Sequence, residues 1–311
     1  MDIWLKRDYS QYAETNNNTY LTLTSWLPSE KMRMYIRKDI ADQMWEFVSE
    51  EKLVNTPSAD DWEDITTILY PDQFIGGDGV LNEPRGIDIA ADGSIYVADS
   101  KNNQIKHFST GGTLLDAWGS FGSTADQNAA GGTFYEPWDV AAAPDGSVYV
   151  ADTWNHRIQK FSARGTFLDS WGFFAQGSSE EGYWGPRSVT VDGDGNVYFS
   201  DTGNKRVVVF DEDGNFVAQF GSAGTDFGQF NEPVGIALDS SNNLYIADTW
   251  NRRVQVLSPD LELNTSTTLL SWDVEGWYGE SIETKPFIAV NAAGNAVVSE
   301  PEGTLILEST P

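Results

Sequence analysis

The sequence contains no cysteine and only two histidines among its 311 residues. The absence of cysteine excludes a disulfide framework, a thiolate zinc site and a thiol nucleophile. The scarcity of histidine excludes a multi-histidine zinc site, because His107 and His156 occupy non-equivalent positions. No apolar run of about 18 residues predicts a membrane span, and the N-terminal stretch MDIWLKRDYSQY lacks the apolar core of a signal peptide. GxSxG elements and phosphate loops are also missing.

Basic residues are scarce as well. The chain has 19 Lys and Arg against 47 Asp and Glu, a formal net charge of −28. Such a charge repels phosphate polymers and anionic lipid surfaces, so we expect no nucleic-acid partner, and RNA binding is disfavoured. It could attract a cation or a basic partner, although a solvated acidic surface explains it equally well.

Glycine and aromatic residues are abundant, and four stretches of the chain repeat one another. The sequence has 29 Gly and 13% aromatic residues, which suits short strands joined by tight turns. The prolines that open the five units are 53, 49, 47 and 53 residues apart, a period typical of propeller blades. These prolines are Pro84, Pro137, Pro186, Pro233 and Pro286; the fifth unit is degenerate.

Each unit reads as four short strands, here named a to d. Alternating apolar residues form strands a and b around a DG, GN or NN turn, such as Asp92-Gly93 or Asn242-Asn243, where positive φ is tolerated. A sheet apolar on both faces must stack on its neighbours, and circular closure protects its edges. We therefore predict an all-β protein: a β-propeller of four-stranded antiparallel blades, six in number, with five blades or a truncated longer ring as the alternatives.

The units resemble NHL repeats. The shared core is Tyr-x-x-Asp at the end of strand b, then Asn three and Arg five residues after the Asp; Gln104 replaces Arg in the first unit. The same polar types return in unit after unit, although the fifth unit departs from the motif, so we predict that they maintain the scaffold, with Arg pairing with Asp between blades. These structural residues are Asp99, Asp152, Arg157, Asp201, Arg206, Asp248 and Arg253.

Residues 1–61 do not follow the repeat and are predicted to form an N-terminal extension, while residues 62–311 form the propeller. Strands are expected at residues 19–27 and 31–38, followed by a helix from Asp39 to about Leu53. Residues 64–77 occupy the position of a strand d and could pair with the C-terminal TLILEST to close the ring.

The segment WLPSEKMRMYIRKDIADQMWEF is similar to a junction in multi-pass membrane proteins that resemble dolichyl-phosphate-mannose mannosyltransferases and carry an extracytoplasmic NHL tail. The resemblance implies an extracytoplasmic or secreted location, tethered through an upstream segment, with any transferase chemistry elsewhere.

Topology predicts the candidate site. In a four-stranded meander the long b–c and d–a loops emerge on one face, which gathers aromatic residues beside Arg and Asn. We predict a monomeric, non-catalytic module that binds a protein, peptide or glycan there, without a cofactor. The candidate ligand-binding residues are Trp138, Trp154, His156, Trp184, Arg187, Trp250 and Arg252. Trp118, Trp171, Phe134 and Phe230 are instead expected to pack between blades, and the same packing role stays open for Trp154 and Trp250.

The alternative is a propeller hydrolase or lyase, similar to lactonases, that holds one divalent ion over the channel. Carboxylates lie near the blade starts for this role, namely Glu83, Glu136, Asp139 and Glu232. The DGDGN turn with Asp192, Asp194 and Asn196 superficially resembles a calcium loop, but it lacks the downstream Gly and Glu of such loops.

Overall fold

The computed structural model describes residues 3–7, 21–26, 31–39, 44–49, 80–125, 129–260, 265–273, 286–290, 296–300 and 303–307. The first four ranges form an antiparallel sheet in chain order. Its strands are β1 (Ile3–Arg7), β2 (Leu21–Trp26), β3 (Lys31–Asp39) and β4 (Met44–Ser49).

The helix predicted from Asp39 is wrong where the structure describes this segment. Residues 44–49 form strand β4, which pairs with β3 through a register that sets Met44 opposite Asp39. Cross-strand hydrogen bonding to an adjacent strand outweighs the helical spacing of apolar residues, since Trp45, Phe47 and Val48 favour strands. The remainder of that segment lies outside the described residues, as do residues 64–77.

Four blades follow, each a four-stranded antiparallel meander. The first comprises β5 (Pro84–Ile89), β6 (Ile95–Asp99), β7 (Gln104–Phe108) and β8 (Leu114–Trp118). The second comprises β9 (Asp139–Ala142), β10 (Val148–Asp152), β11 (Arg157–Phe161) and β12 (Phe167–Trp171). A short parallel pair, β13 (Phe173–Phe174) and β14 (Gly182–Tyr183), joins it to the third. The third comprises β15 (Pro186–Val191), β16 (Val197–Asp201), β17 (Arg206–Phe210) and β18 (Phe216–Phe220). The fourth comprises β19 (Pro233–Leu238), β20 (Leu244–Asp248), β21 (Arg253–Asp260) and β22 (Thr265–Asp273).

A three-stranded sheet ends the chain, with strands β23 (Ile288–Val290), β24 (Ala296–Glu300) and β25 (Gly303–Leu307). It packs on the fourth blade, because Ile288, Ala296 and Val298 share a buried cluster with Tyr245 and Val254. Strand β25 also lies beside β4, so the C-terminal sheet contacts the N-terminal sheet. The structure thus shows a propeller with four four-stranded blades, and these four do not confirm the predicted count of six.

The turns inside the blades have the predicted backbone. The a–b turns place Gly93, Gly146, Gly195 and Asn242 at positive φ, which confirms the expectation from their sequences. Each b–c turn is one turn of 3-10 helix ended by a residue in the left-handed region. These helices are Ser100–Asn102, Thr153–Asn155, Thr202–Asn204 and Thr249–Asn251.

The hydrophobic core lies between blades. Phe134 is buried with Tyr96 of the first blade and Phe161 of the second, and Phe230 is buried between the third and fourth. The indole of Trp118 contacts Phe161 of the next blade, and Trp171 likewise contacts Phe210. The prediction that these rings pack between blades is confirmed, and each blade depends on its neighbour to bury its apolar face.

Hydrogen bonds also connect successive blades. In the first three blades, the hydroxyl of the residue that follows the repeated Asp donates to the carbonyl of the proline that opens the next blade, at 2.6–2.7 Å. The donors are Ser100, Thr153 and Thr202, and the acceptors are the carbonyls of Pro137, Pro186 and Pro233. We call these bonds the hydroxyl latches.

Strand a of each blade lies beside strand a of the next blade. Side chains from the preceding strand a accept hydrogen bonds from N–H groups on the edge of the following one. Asp88 accepts from the N–H of Ala142, and Asp139 accepts from that of Val189. The hydroxyl of Ser188 accepts from the N–H of Ile236. Capping of this kind satisfies backbone groups that no neighbouring strand reaches.

Candidate functional site

One face of the propeller is formed by the b–c turns and the d–a connections, and we call it the loop face. Its described d–a connections are residues 119–125 with 129–136, 172–185 and 221–232. The two kinds of loop are hydrogen-bonded to one another. For example, Asn155 donates its side-chain N–H to Gly122 O at 2.8 Å, and the Gly203 N–H donates to Trp184 O at 2.8 Å. The loop face is therefore one connected surface.

The repeated Asp is the centre of a buried network, seen most fully in the second blade. Asp152 accepts from the Tyr135 N–H at 2.8 Å through one oxygen. Its other oxygen accepts from Asn155, from Arg157 Nε at 2.8 Å and from Gln159 at 2.9 Å. Arg157 then donates to the carbonyls of the preceding connection. The Asp–Arg pair lies within one blade, so the expectation of a pair between blades is wrong.

The third and fourth blades repeat this network. Arg206 Nε donates to Asp201 at 2.8 Å, and Arg253 Nε donates to Asp248 at 2.9 Å. The first blade, with Gln104 in place of Arg, brings Lys106 Nζ to 3.4 Å from Asp99. Lys106 is two residues beyond Gln104 on the same face of strand β7, so a cation still faces the carboxylate. In every blade the repeated charges serve the scaffold.

Three of the four acidic residues near the blade starts lie close to cations, with Glu83 4.0 Å from Lys101. Glu136 accepts from Lys101 Nζ at 2.9 Å, while Glu232 accepts from Lys205 Nζ at 2.7 Å and lies 3.3 Å from Arg187. Such pairing competes with metal coordination for the same oxygens. Within the part of the chain that the structure describes, no group of three or more His, Cys, Asp and Glu is arranged to hold a metal ion.

The calcium-like DGDGN turn uses its carboxylate internally. Asp192 accepts from the N–H groups of Asp194 and Asn196, and from the Asn196 side chain at 2.8 Å. The Tyr198 hydroxyl lies 3.3 Å from the same carboxylate. These bonds close the a–b turn as an Asx turn does, and they occupy the oxygens that a cation would need.

Trp138 was expected on the exposed rim, and this expectation is wrong. The ring is fully buried at the start of the second blade. The guanidinium carbons of Arg85 and Arg187, from the blades on either side, lie 4.2 and 4.5 Å from the ring centroid. Burial lowers the pKa of Arg187, an effect that Glu232 opposes and Arg85 reinforces. Trp138 and Arg187 therefore join three blades rather than presenting a free surface.

Other aromatic side chains of the loop face are exposed. Phe121, Phe173, Phe174, Trp184, Phe227 and Trp250 have exposed fractions of 40–72%. Trp184 lies over Gly203, where a Cβ atom would come within 2.4 Å of the indole. Gly203 occupies the position that is Trp154 in the second blade and Trp250 in the fourth, so a tryptophan covers this position in the third blade from a different loop.

The remaining candidates divide between half-buried and exposed positions. Trp154 is half-buried, and its indole N–H donates to Glu136 at 3.3 Å. His156 is half-buried with its Nδ1 accepting from the Gly185 N–H, and burial lowers the pKa of the imidazole. Trp250 and Arg252 are exposed. The structure brings His156 and Trp184 together through Phe174, whose ring contacts both.

The difference between the two equivalent tryptophans gives a testable prediction. Trp154→Ala should lower the free energy of unfolding by about 2–3 kcal/mol, because it removes half-buried ring contacts and the donor to Glu136. Trp250→Ala, at an exposed position, should change it by less than about 0.5 kcal/mol. Urea denaturation of the two variants compares them directly, and equal losses would contradict the assigned environments.

The arrangement defines an NHL-repeat β-propeller. A profile of the NHL repeat matches residues 81–108, 134–161 and 230–257, which include the b–c hairpins of the first, second and fourth blades. The third blade has the same Asp–Asn–Arg hydrogen bonds, although the profile does not match it. No curated protein matches the sequence.

Several solved structures share the fold. A streptogramin B lyase has a TM-score of 0.52 and 12% identity, covering 100% of this chain and 83% of its own. A catalytically inactive variant of virginiamycin B lyase from Staphylococcus aureus, with quinupristin, has a TM-score of 0.51 and 11% identity, covering 92% and 86%. A gluconolactonase-like protein has a TM-score of 0.51 and 15% identity, covering 75% and 76%. Identities this low establish the fold alone.

The residues that the structure describes include no helix long and apolar enough to cross a membrane.

Proposed function

We propose that the protein is a non-catalytic binding module whose loop face recognises a protein, peptide or glycan. One observation supports this above the others: the repeated polar groups are engaged in the scaffold, whereas six aromatic rings of the loop face are 40–72% exposed. Exposed rings give large contact area at low entropic cost, and such patches mark binding surfaces. Trp184 and Trp250 are the strongest anchors, since Trp138 is buried and Trp154 is half-buried.

The double variant Trp184→Ala, Trp250→Ala tests this proposal. Ligands found by screening the intact chain on peptide and glycan arrays should bind the variant at least about tenfold more weakly. The melting temperature should fall by less than about 5 °C, because Trp250 is exposed and Trp184 keeps 40% of its surface exposed while it contacts Gly203 and Phe174. Leu168→Ala, at an exposed site on the outer strand β12, is the matched control and should retain binding. Unchanged affinity in the double variant would refute the role of the loop face.

A second candidate is a metal-dependent hydrolase or lyase. It is supported by the shared fold of the lyases and the gluconolactonase-like protein. Against it, the carboxylates of Glu136 and Glu232 form ion pairs with Lys and Arg side chains. The carboxylate of Asp139 is buried and accepts from the Val189 N–H of the next blade. Elemental analysis of the purified protein decides between the two, because this candidate requires a stoichiometric divalent ion.

We also propose a ring of six sheets. The N-terminal sheet and the C-terminal three-stranded sheet would complete it with the four blades, as the proximity of β4 and β25 suggests. The chain has no native cysteine, so one cysteine introduced in β4 and one in β25 should form a single unambiguous disulfide. Failure to cross-link under oxidising conditions would count against closure.

The extracytoplasmic location, with tethering to a membrane glycosyltransferase-like protein, is likewise a proposal based on the resemblance of the N-terminal segment. The reading frame upstream of the chain tests it, because tethering requires membrane-spanning helices encoded there.

A further inference from the structure

The connection between the second and third blades, residues 172–185, combines exposed rings with carboxylates that pair with no cation in the described chain. Phe173, Phe174 and Trp184 are exposed, and so are Glu180 and Glu181. We infer that this connection binds a basic peptide segment, in which a lysine or arginine side chain lies against Phe174 and Trp184. The inference rests on the proposed binding role of the loop face.

The distribution of charge on the loop face supports a cationic partner. Lys101, Arg187 and Lys205 each lie within 4.0 Å of a carboxylate of Glu83, Glu136 or Glu232, so each of these cations already faces an acidic side chain. Glu180 and Glu181, by contrast, form no ion pair with any residue that the structure describes. The surrounding chain carries a formal net charge of −28, which attracts basic segments from a distance and repels acidic ones.

The rings supply the contact surface. Phe174 and Trp184 meet edge to face, with centroids 6.2 Å apart and planes at 90°. Two perpendicular faces form a corner against which the aliphatic stem of lysine or arginine can pack while its charge stacks on a ring. The imidazole of His156, 4.8 Å from Phe174, adds no opposing charge because burial lowers its pKa.

The connection is held in shape before any ligand arrives. Arg206 donates to the carbonyls of Ser179 and Gly182 at 2.7 and 2.8 Å. Asn204 donates to Ala175 O and accepts from the Gly177 N–H. A preordered loop loses little conformational entropy on binding, which favours affinity from a small contact area.

Titration with a defined probe tests the inference. The peptide acetyl-GKGKGKG-amide, labelled for fluorescence anisotropy, should bind the full chain saturably at about 20 mM salt and more weakly at about 300 mM salt. Phe174→Ala combined with Trp184→Ala should weaken binding about tenfold. Glu180→Gln combined with Glu181→Gln should weaken it about fivefold at low salt, with a smaller difference at high salt. Glu212→Gln, an exposed carboxylate on a c–d turn of the opposite face, should leave binding unchanged.

Two results of this titration would overturn the inference. One is equal or tighter binding of the control peptide in which glutamate replaces lysine. The other is an equal loss of lysine-peptide binding in the Glu212→Gln variant and in the Glu180→Gln, Glu181→Gln variant. Equal losses would indicate a general attraction to the acidic surface. Array ligands that lack basic residues, but still require Trp184 and Trp250, would leave the proposed function intact while refuting the basic partner.

Discussion

Replacement of Asp152 with alanine should lower the free energy of unfolding by about 3–5 kcal/mol. The carboxylate is fully buried and accepts from Tyr135, Asn155, Arg157 and Gln159. Its removal leaves the buried guanidinium of Arg157 uncompensated and frees the N–H that anchors the preceding connection. A change of this size is easily measured by urea denaturation monitored by tryptophan fluorescence.

Three companion variants make the result specific. Asp152→Asn keeps an acceptor for the Tyr135 N–H but loses the charge, so its loss should be intermediate. In the double variant Asp152→Ala, Arg157→Ala the loss should be smaller than the sum of the two single losses, because both members of the pair are gone. Asp169→Ala, an exposed carboxylate on strand β12, should change stability by less than about 0.5 kcal/mol. Additive single losses would contradict direct pairing.

The second large effect is a pH dependence located at Asp139. Burial raises the pKa of this carboxyl from 3.8 to about 7, although bonds from Ser188, Val189 and Val140 oppose the rise. Between pH 3.8 and about 7, the Asp139 carboxyl is therefore protonated in the folded state and ionised in the unfolded chain. The stability gained in this way is complete below about pH 3.8 and is lost as the pH rises through about 7.

Asp139→Asn isolates that contribution, because asparagine is neutral at every pH. From pH 5 to pH 8, the free energy of unfolding of the wild type should fall by about 2–3 kcal/mol relative to that of the variant. Carboxylates that do not interact with Asp139 titrate in both proteins and cancel in the difference, whereas the nearby charge of Asp88 contributes to the raised pKa of Asp139 and is part of the effect. A difference that stays constant over this range would show that Asp139 does not titrate there. Asp169→Asn serves as the control, with no such shift expected at an exposed position.

The repeat and its fold could be predicted from the sequence because they depend on local patterns. The a–b turns and the Tyr-x-x-Asp motif are visible within one unit, and the proline spacing is visible by comparing successive units. The NHL repeats and propeller blades lie where these patterns predict them. The hydroxyl latches also have a local signal in the sequence, since Ser100, Thr153 and Thr202 directly follow the repeated Asp.

Features that depend on neighbouring blades could not be predicted in the same way. Trp138 has the sequence context of a loop residue, yet it is buried because Arg85 and Arg187 approach it from adjacent blades. Trp184 covers Gly203 only because two loops distant in sequence meet on one face. The helix predicted from Asp39 failed for a similar reason, since pairing with β3 decides the structure of residues 44–49.

In the connection of residues 172–185, the groups that hold the backbone in place differ from the side chains that are exposed to a ligand. Its bonds to Arg206 and Asn204 use main-chain carbonyls and one main-chain N–H, and none of them requires a particular side chain in the loop. Substitutions at Phe173, Phe174, Glu180 or Glu181 should therefore alter what is recognised while the backbone path persists. In this respect the connection behaves like the hypervariable loop of an antibody, and it offers a position where a new specificity could be engineered onto an unchanged framework.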